Sequence, residues 1–98
     1  MQARLALAHS AHELAQARRS QVDAVIISPV FPTQTHPGEP ALGRIKFLVM
    51  ARSANKPVIA LGGMTLKRAR GLPGYGWAAI DGLTYPHLIN HIKRRPHR

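Results

Sequence analysis

The sequence contains no cysteine, and this absence excludes two kinds of small protein. Without thiols, neither a disulfide framework nor a thiolate metal site can form, so a hydrophobic core must stabilise the chain. Its 98 residues, of which 45% are hydrophobic, are enough for one modest core in a single domain. A cysteine-free chain also suits a reducing compartment, and we expect a cytoplasmic protein.

Long apolar runs are lacking as well. Runs such as residues 58–61 are far shorter than the roughly 20 residues that a membrane-spanning helix needs. Residues 1–17 are interrupted by Arg4 and Glu13, so they lack the continuous apolar segment of a signal peptide. We therefore expect a soluble protein with no membrane partner.

Acidic residues are scarce: there are four, against 14 lysines and arginines, and the formal net charge is +10. Such a charge could attract nucleic acid, but the basic residues are scattered and aromatic residues make up only 5% of the chain. We expect most of these residues to lie on solvated helix faces and in a basic tail at residues 94–98. Attraction of phosphate ligands is a secondary role that fits the same charge.

Short apolar strands alternate with helical patterns along the chain, which predicts an α/β fold with a parallel sheet. The four predicted strands lie near residues 5–8, 24–27, 58–61 and 77–80. The β-branched run of the second strand predicts burial on both faces. The predicted helices are one capped by Ser10, one over 44–54 with Ile45, Leu48 and Val49 at helical spacing, one capped by Thr65 that stops near Gly71, and one over 86–93.

Four strand–helix units are half of the eight that close a TIM-type barrel, so we predict a single partial barrel domain over residues 1–98. In such folds ligands bind beyond the carboxyl ends of the strands. Gly62 and Gly63 follow the third strand, where backbone N–H groups could approach a phosphate with support from the dipole of the next helix. A tight strand-to-helix turn explains the two glycines equally well.

A proline-rich loop at residues 28–43 follows the second strand. Thr33 and Thr35 present hydroxyls at alternate positions in this rigid frame, and both could donate hydrogen bonds to phosphate oxygens. His36 could add a cationic donor when its imidazole is protonated. The alternative is that threonine and histidine are ordinary loop residues here.

Four segments, taken in order, resemble those of one enzyme family. They are Ala-His-Ser at 8–10, Pro-Val-Phe-Pro-Thr-Gln-Thr-His at 29–36, Ile-Ala-Leu-Gly-Gly-Met at 59–64 and Ala-Ile-Asp-Gly at 79–82. Through them the chain is similar, over residues 5–83, to the thiamine phosphate synthase and thiazole tautomerase family. The resemblance implies the C-terminal half of a (β/α)8 barrel with parallel strands.

The same resemblance implies a transferase of thiamine (vitamin B1) biosynthesis. This enzyme joins hydroxymethylpyrimidine diphosphate to thiazole phosphate and releases diphosphate with the help of Mg²⁺. By position, Thr33 and Thr35 would contact the diphosphate. His36 stands where the family has a lysine, and it is the candidate catalytic residue.

The resemblance also implies a pocket for the thiazole phosphate. Its residues would be Gly62, Gly63 and the backbone at Ile80 and Asp81. Asp81 replaces a serine of the family, and its carboxylate would repel a phosphate. Leu7 replaces a second serine and cannot donate a hydrogen bond.

The first four βα units of the family, which supply its Mg²⁺ carboxylates, have no counterpart in this sequence. We therefore expect no complete Mg²⁺ site in this chain, and activity only with a complementing N-terminal half or a second copy. One alternative is a non-catalytic phosphate-binding or regulatory half-barrel. Another is a thiazole tautomerase-like protein, although Pro29 stands where the tautomerase has its catalytic histidine.

Overall fold

The computed structural model describes residues 4–33, 40–79 and 92–93. Its elements follow the predicted alternation, with one addition at the end. They are β1 (Leu5–Ala8), α1 (Ala11–Arg18), β2 (Ala24–Ile27), α2 (Gly43–Ser53), β3 (Val58–Ala60), α3 (Leu66–Arg70), β4 (Gly76–Ala78) and β5 (Ile92–Lys93).

The strands form one sheet in the order β1-β2-β3-β4-β5, so each strand pairs with the next one along the chain. The first three pairings are parallel and the last, β4 with β5, is antiparallel. Four parallel strands in sequence order, joined by helices, are the arrangement found in half of a TIM-type barrel. The predicted α/β fold class is confirmed.

Alternate residues along the strands belong to two hydrophobic clusters. The larger cluster joins one face of the sheet to the helices, and its strand members include Val25, Ile27 and Trp77. The smaller cluster contains Ile26 and Ile59. All four residues of β2 are buried, which confirms the prediction of a strand covered on both faces.

Two helices begin with the predicted side-chain caps. The Ser10 hydroxyl accepts a hydrogen bond from Glu13 N at 3.2 Å, and the Thr65 hydroxyl accepts one from Arg68 N at 3.1 Å. Each bond satisfies a backbone N–H that has no partner within its helix. These caps fix where α1 and α3 start.

Only part of the apolar pattern noted in α2 faces the core: Leu48 is half-buried against the main cluster. Ile45 and Val49 are exposed by 68% and 65%, whereas Phe47, Met50 and Ala51 are buried. The Phe47 ring packs edge-on against Tyr75, with 5.5 Å between the ring centroids. A helix has room for one inward stripe, and here the large aromatic side chain occupies it.

The prediction of a helix over residues 86–93 is wrong at its C-terminal end, because Ile92 and Lys93 form β5. They pair with Ala78 and Trp77, the last residues of the sheet's edge strand. The unpaired N–H and C=O groups of an edge strand favour such pairing over a short helical pattern. The remainder of that prediction, residues 86–91, and the basic tail at 94–98 lie outside the described residues.

Smaller differences concern the ends of strands. β3 stops at Ala60, one residue before the predicted end, and β4 covers residues 76–78 instead of 77–80. Leu61 still donates its N–H to Ile27 O at 3.2 Å, so the pairing of β2 with β3 continues past the strand itself. Within the described residues, no helix is long and apolar enough to cross a membrane.

Candidate functional site

Backbone hydrogen bonds join the segments that follow β2 and β3. We call residues 28–33 the loop segment and residues 61–64 the glycine turn. Val30 N donates to Leu61 O at 2.9 Å, and Phe31 N donates to Gly62 O at 3.0 Å. The two segments singled out in the sequence thus lie side by side at the carboxyl edge of the sheet.

Close packing against the loop segment requires both glycines of the turn. A Cβ atom on Gly62 would lie 2.7 Å from Pro29 Cα, and one on Gly63 would lie 2.6 Å from Pro32 O. Their φ angles of 102° and 62° are also in the region that favours glycine. Packing therefore accounts for the glycines, and their binding of phosphate stays a prediction.

The start of α2 holds the loop segment from its other side. Leu42 N donates to Pro29 O at 2.9 Å, and Gly43 N donates to Val30 O at 2.7 Å. The Val30 side chain is fully buried in the main core. The loop segment is thus fixed by the glycine turn, by α2 and by the core.

His9 lies at the carboxyl end of β1 and contacts Ser28, the first residue of the loop segment. Its Nδ1 lies 2.9 Å from Ser28 O and 3.3 Å from Ser28 Oγ. A carbonyl oxygen can only accept, so Nδ1 carries the hydrogen in the shorter bond. The backbone N–H of His9 donates to Glu13 Oε1 at 2.7 Å, which fixes its position further.

Arg68, on α3, is one of the basic residues expected to lie on solvated helix faces, and it is exposed. Its Nη1 donates to Gly63 O at 2.6 Å, and its guanidinium carbon lies 4.7 Å from the centroid of the Phe31 ring. One side chain thus contacts the glycine turn and the loop segment together. The only signal in the sequence is an arginine three residues after the cap Thr65, which is a weak one.

The helix after the glycine turn is too short to give more than weak dipole support. α3 spans only five residues, Leu66–Arg70, so few peptide dipoles add along it. Its free N–H groups are also partly satisfied, because Thr65 accepts from one of them. Any phosphate held here would rely on backbone N–H groups and side chains.

Of the predicted site residues, the structure describes Thr33, Gly62 and Gly63. Thr33 is half-buried at the end of the loop segment. The other four predicted residues lie outside the described part of the chain: Thr35, His36, Ile80 and Asp81.

The described residues do not fit a metal site. Over residues 4–33 and 40–79, no three or more histidine or carboxylate side chains are grouped to hold an ion. Glu13 accepts from His9 N. Asp23 accepts from Arg4 N at 2.6 Å near the amino ends of β1 and β2. Neither carboxylate is directed at the glycine turn, and Mg²⁺ stays an expectation from the resemblance.

Comparisons with known proteins agree with this picture of the fold. The model of a family described as thiamine monophosphate synthase matches residues 4–81. A protein of Aquifex aeolicus (strain VF5) named "Putative thiamine-phosphate synthase 2" is 30% identical over 77 residues, which cover 79% of this chain. The chain spans only 41% of the length of that relative. No solved structure gives a significant match.

Proposed function

Because the chain belongs to the thiamine monophosphate synthase family, we propose that it supplies the C-terminal, substrate-binding half of a thiamine phosphate synthase. The reaction would be the coupling of hydroxymethylpyrimidine diphosphate to thiazole phosphate with release of diphosphate. The observation that carries the proposal is the hydrogen bond from Phe31 N to Gly62 O. It holds the two segments expected to bind phosphate at one edge of the sheet.

The residues of this chain would act by binding and orienting. The hydroxyl of Thr33, with that of Thr35, would donate to the diphosphate and stabilise charge on it as it leaves. Backbone N–H groups at Gly62 and Gly63 would hold the thiazole phosphate, which keeps the thiazole nitrogen close to the pyrimidine carbon that it attacks. No step is assigned to Mg²⁺, because the described residues do not form a site for it.

A pair of ligands tests the binding half of the proposal. Calorimetric titration of the chain with thiazole phosphate should show binding, and the dephosphorylated thiazole alcohol should bind at least tenfold more weakly. Charged hydrogen bonds of about 1.5 to 3 kcal/mol each explain a difference of this size. Equal affinity for the two ligands would contradict a phosphate-binding edge.

A turnover assay tests the enzymatic half. Thiamine phosphate formation is measured from the two precursors with and without Mg²⁺, and the oligomeric state is determined in parallel by light scattering. Product formed by a dimer, or only after a complementing N-terminal half is added, would support a synthase assembled from halves. The proposed localisation of such an enzyme is the cytoplasm.

A non-catalytic phosphate-binding module is the second candidate. It is favoured by the same hydrogen bond from Phe31 N to Gly62 O, because joining the two segments would serve phosphate binding without any turnover. Such a module would bind thiazole phosphate in the titration yet form no product under any pairing. The two assays together therefore distinguish the two candidates.

A further inference from the structure

Arg68 bridges the two segments of the candidate site although it belongs to neither. Its Nη1 donates to the carbonyl oxygen of Gly63, and its guanidinium group stacks over the ring of Phe31. The backbone at Arg68 is itself fixed, since its N–H donates to the Thr65 hydroxyl. The side chain therefore extends from an anchored position across the contact between the two segments.

A restraint of this kind adds to the hydrogen bonds that already hold the glycine turn against the loop segment. Glycine has the largest choice of backbone conformations, so two in succession are costly to hold in one arrangement. A hydrogen bond to Gly63 O orients the whole planar peptide unit between Gly63 and Met64, including the Met64 N–H. The stacked Phe31 carries the N–H that bonds to Gly62 O. Arg68 thus restrains both sides of that hydrogen bond.

We propose that Arg68 is a positioning residue that holds the glycine turn and the loop segment in the arrangement that binds phosphate. That this arrangement binds phosphate is taken from the proposed function. Arginine suits the role better than lysine, because one planar guanidinium group can stack on an aromatic ring and donate in its own plane at the same time. Its permanent charge also favours an anionic ligand at this edge.

Hydrogen exchange in the ligand-free chain tests the restraint directly. In Arg68→Met the amide of Phe31 should exchange about fivefold faster, which is the change expected when a net hydrogen bond of about 1 kcal/mol is lost. Arg68→Lys should give an intermediate rate. The amide of the fully buried Val25, which donates to Pro57 O at 2.9 Å within the sheet, serves as reference for global unfolding. An unchanged ratio of the Phe31 rate to the Val25 rate overturns the proposal.

The matched control is Arg70→Met, which removes the same charge from an exposed position on the same helix. Inorganic phosphate is titrated into each variant and followed by the amide shifts of Gly62 and Gly63. We expect affinity to fall in Arg68→Met by more than in Arg70→Met, with partial rescue in Arg68→Lys. An equal fall in both methionine variants means that charge alone matters, and this overturns the positioning role.

The exchange experiment tests the role of Arg68, and the phosphate titration of the unmodified chain tests the proposed function. If phosphate shifts no amide of the unmodified chain, the proposed function fails, while the exchange ratio still decides whether Arg68 restrains the turn. If phosphate binds and the ratio is unchanged, the proposed function stands and the role of Arg68 is refuted.

Discussion

Single residues at the carboxyl edge are constrained by their neighbours more than by their own secondary structure. Gly62 illustrates this, and Gly74, in the turn before β4, provides the contrast, because both have positive φ, at 102° and 96°. A Cβ on Gly62 would meet Pro29 at 2.7 Å, whereas a Cβ on Gly74 would meet nothing within 4 Å. The same substitution at the two positions therefore separates the cost of backbone conformation from the cost of contact.

We predict that Gly62→Ala lowers the free energy of unfolding by about 3 kcal/mol, from backbone strain plus overpacking. Gly74→Ala should lower it by only about 1 kcal/mol, because the strain acts alone. Urea denaturation of the two variants measures the difference. Equal losses would show that the contact between the glycine turn and the loop segment is loose enough to accept a methyl group.

At the scale of elements, features that depend on neighbouring residues were predicted correctly from the sequence, whereas contacts between distant residues were not. Each confirmed feature depends on only a few neighbouring residues. These features are the buried strand Ala24–Ile27 and the helix caps Ser10 and Thr65. The pairing of β5 with β4, and the reach of Arg68 to Phe31, depend on parts of the chain that meet only after folding. No periodicity encodes such contacts.

The same limit explains the buried face of α2. Ile45, Leu48 and Val49 have the right spacing for an inward stripe, but so do Phe47, Met50 and Ala51. Spacing does not decide between the two stripes, and the choice follows from what each would pack against. Here the stripe with Phe47, which contacts Tyr75, is the buried one.

The cap of α1 gives a prediction at this scale. Ser10→Ala removes the acceptor for Glu13 N and should lower the free energy of unfolding by about 1 kcal/mol. Ser53→Ala is the control. The Ser53 hydroxyl donates to Met50 O in the last turn of α2, where Ala54 N also donates to Ala51 O. The effect of this substitution should stay within about 0.5 kcal/mol. Thermal and urea unfolding should rank the two in that order, and the reverse order would contradict the cap.

For the molecule as a whole, the net charge of +10 is the dominant electrostatic fact. Repulsion among like charges destabilises the compact state, and salt screens it. We predict that the urea midpoint rises as NaCl increases from 0.01 to 0.1 M, over which the Debye length falls from about 30 to about 10 Å. A falling midpoint would mean that attractive pairs dominate.

Phosphate at the same ionic strength should stabilise the chain further if it binds at the glycine turn. Linkage predicts an additional gain of about 1.4 kcal/mol at a phosphate concentration ten times the Kd. Sodium chloride at matched ionic strength controls for general salt effects, and Arg68→Met should show less of the additional gain. Equal stabilisation by phosphate in both proteins would point to non-specific screening.

The antiparallel strand β5 has a consequence for how the sheet can grow. It lies along the outer side of β4, the row where a further parallel strand would have to bond. At the opposite end, β1 pairs only with β2 among the described residues. The N-terminal half of the proposed synthase would therefore find β1 open to pairing, whereas pairing with β4 would first require the two residue pairs of β5 to separate. Of the two ends of the sheet, β1 is thus the one at which such a half would attach without any bond being broken.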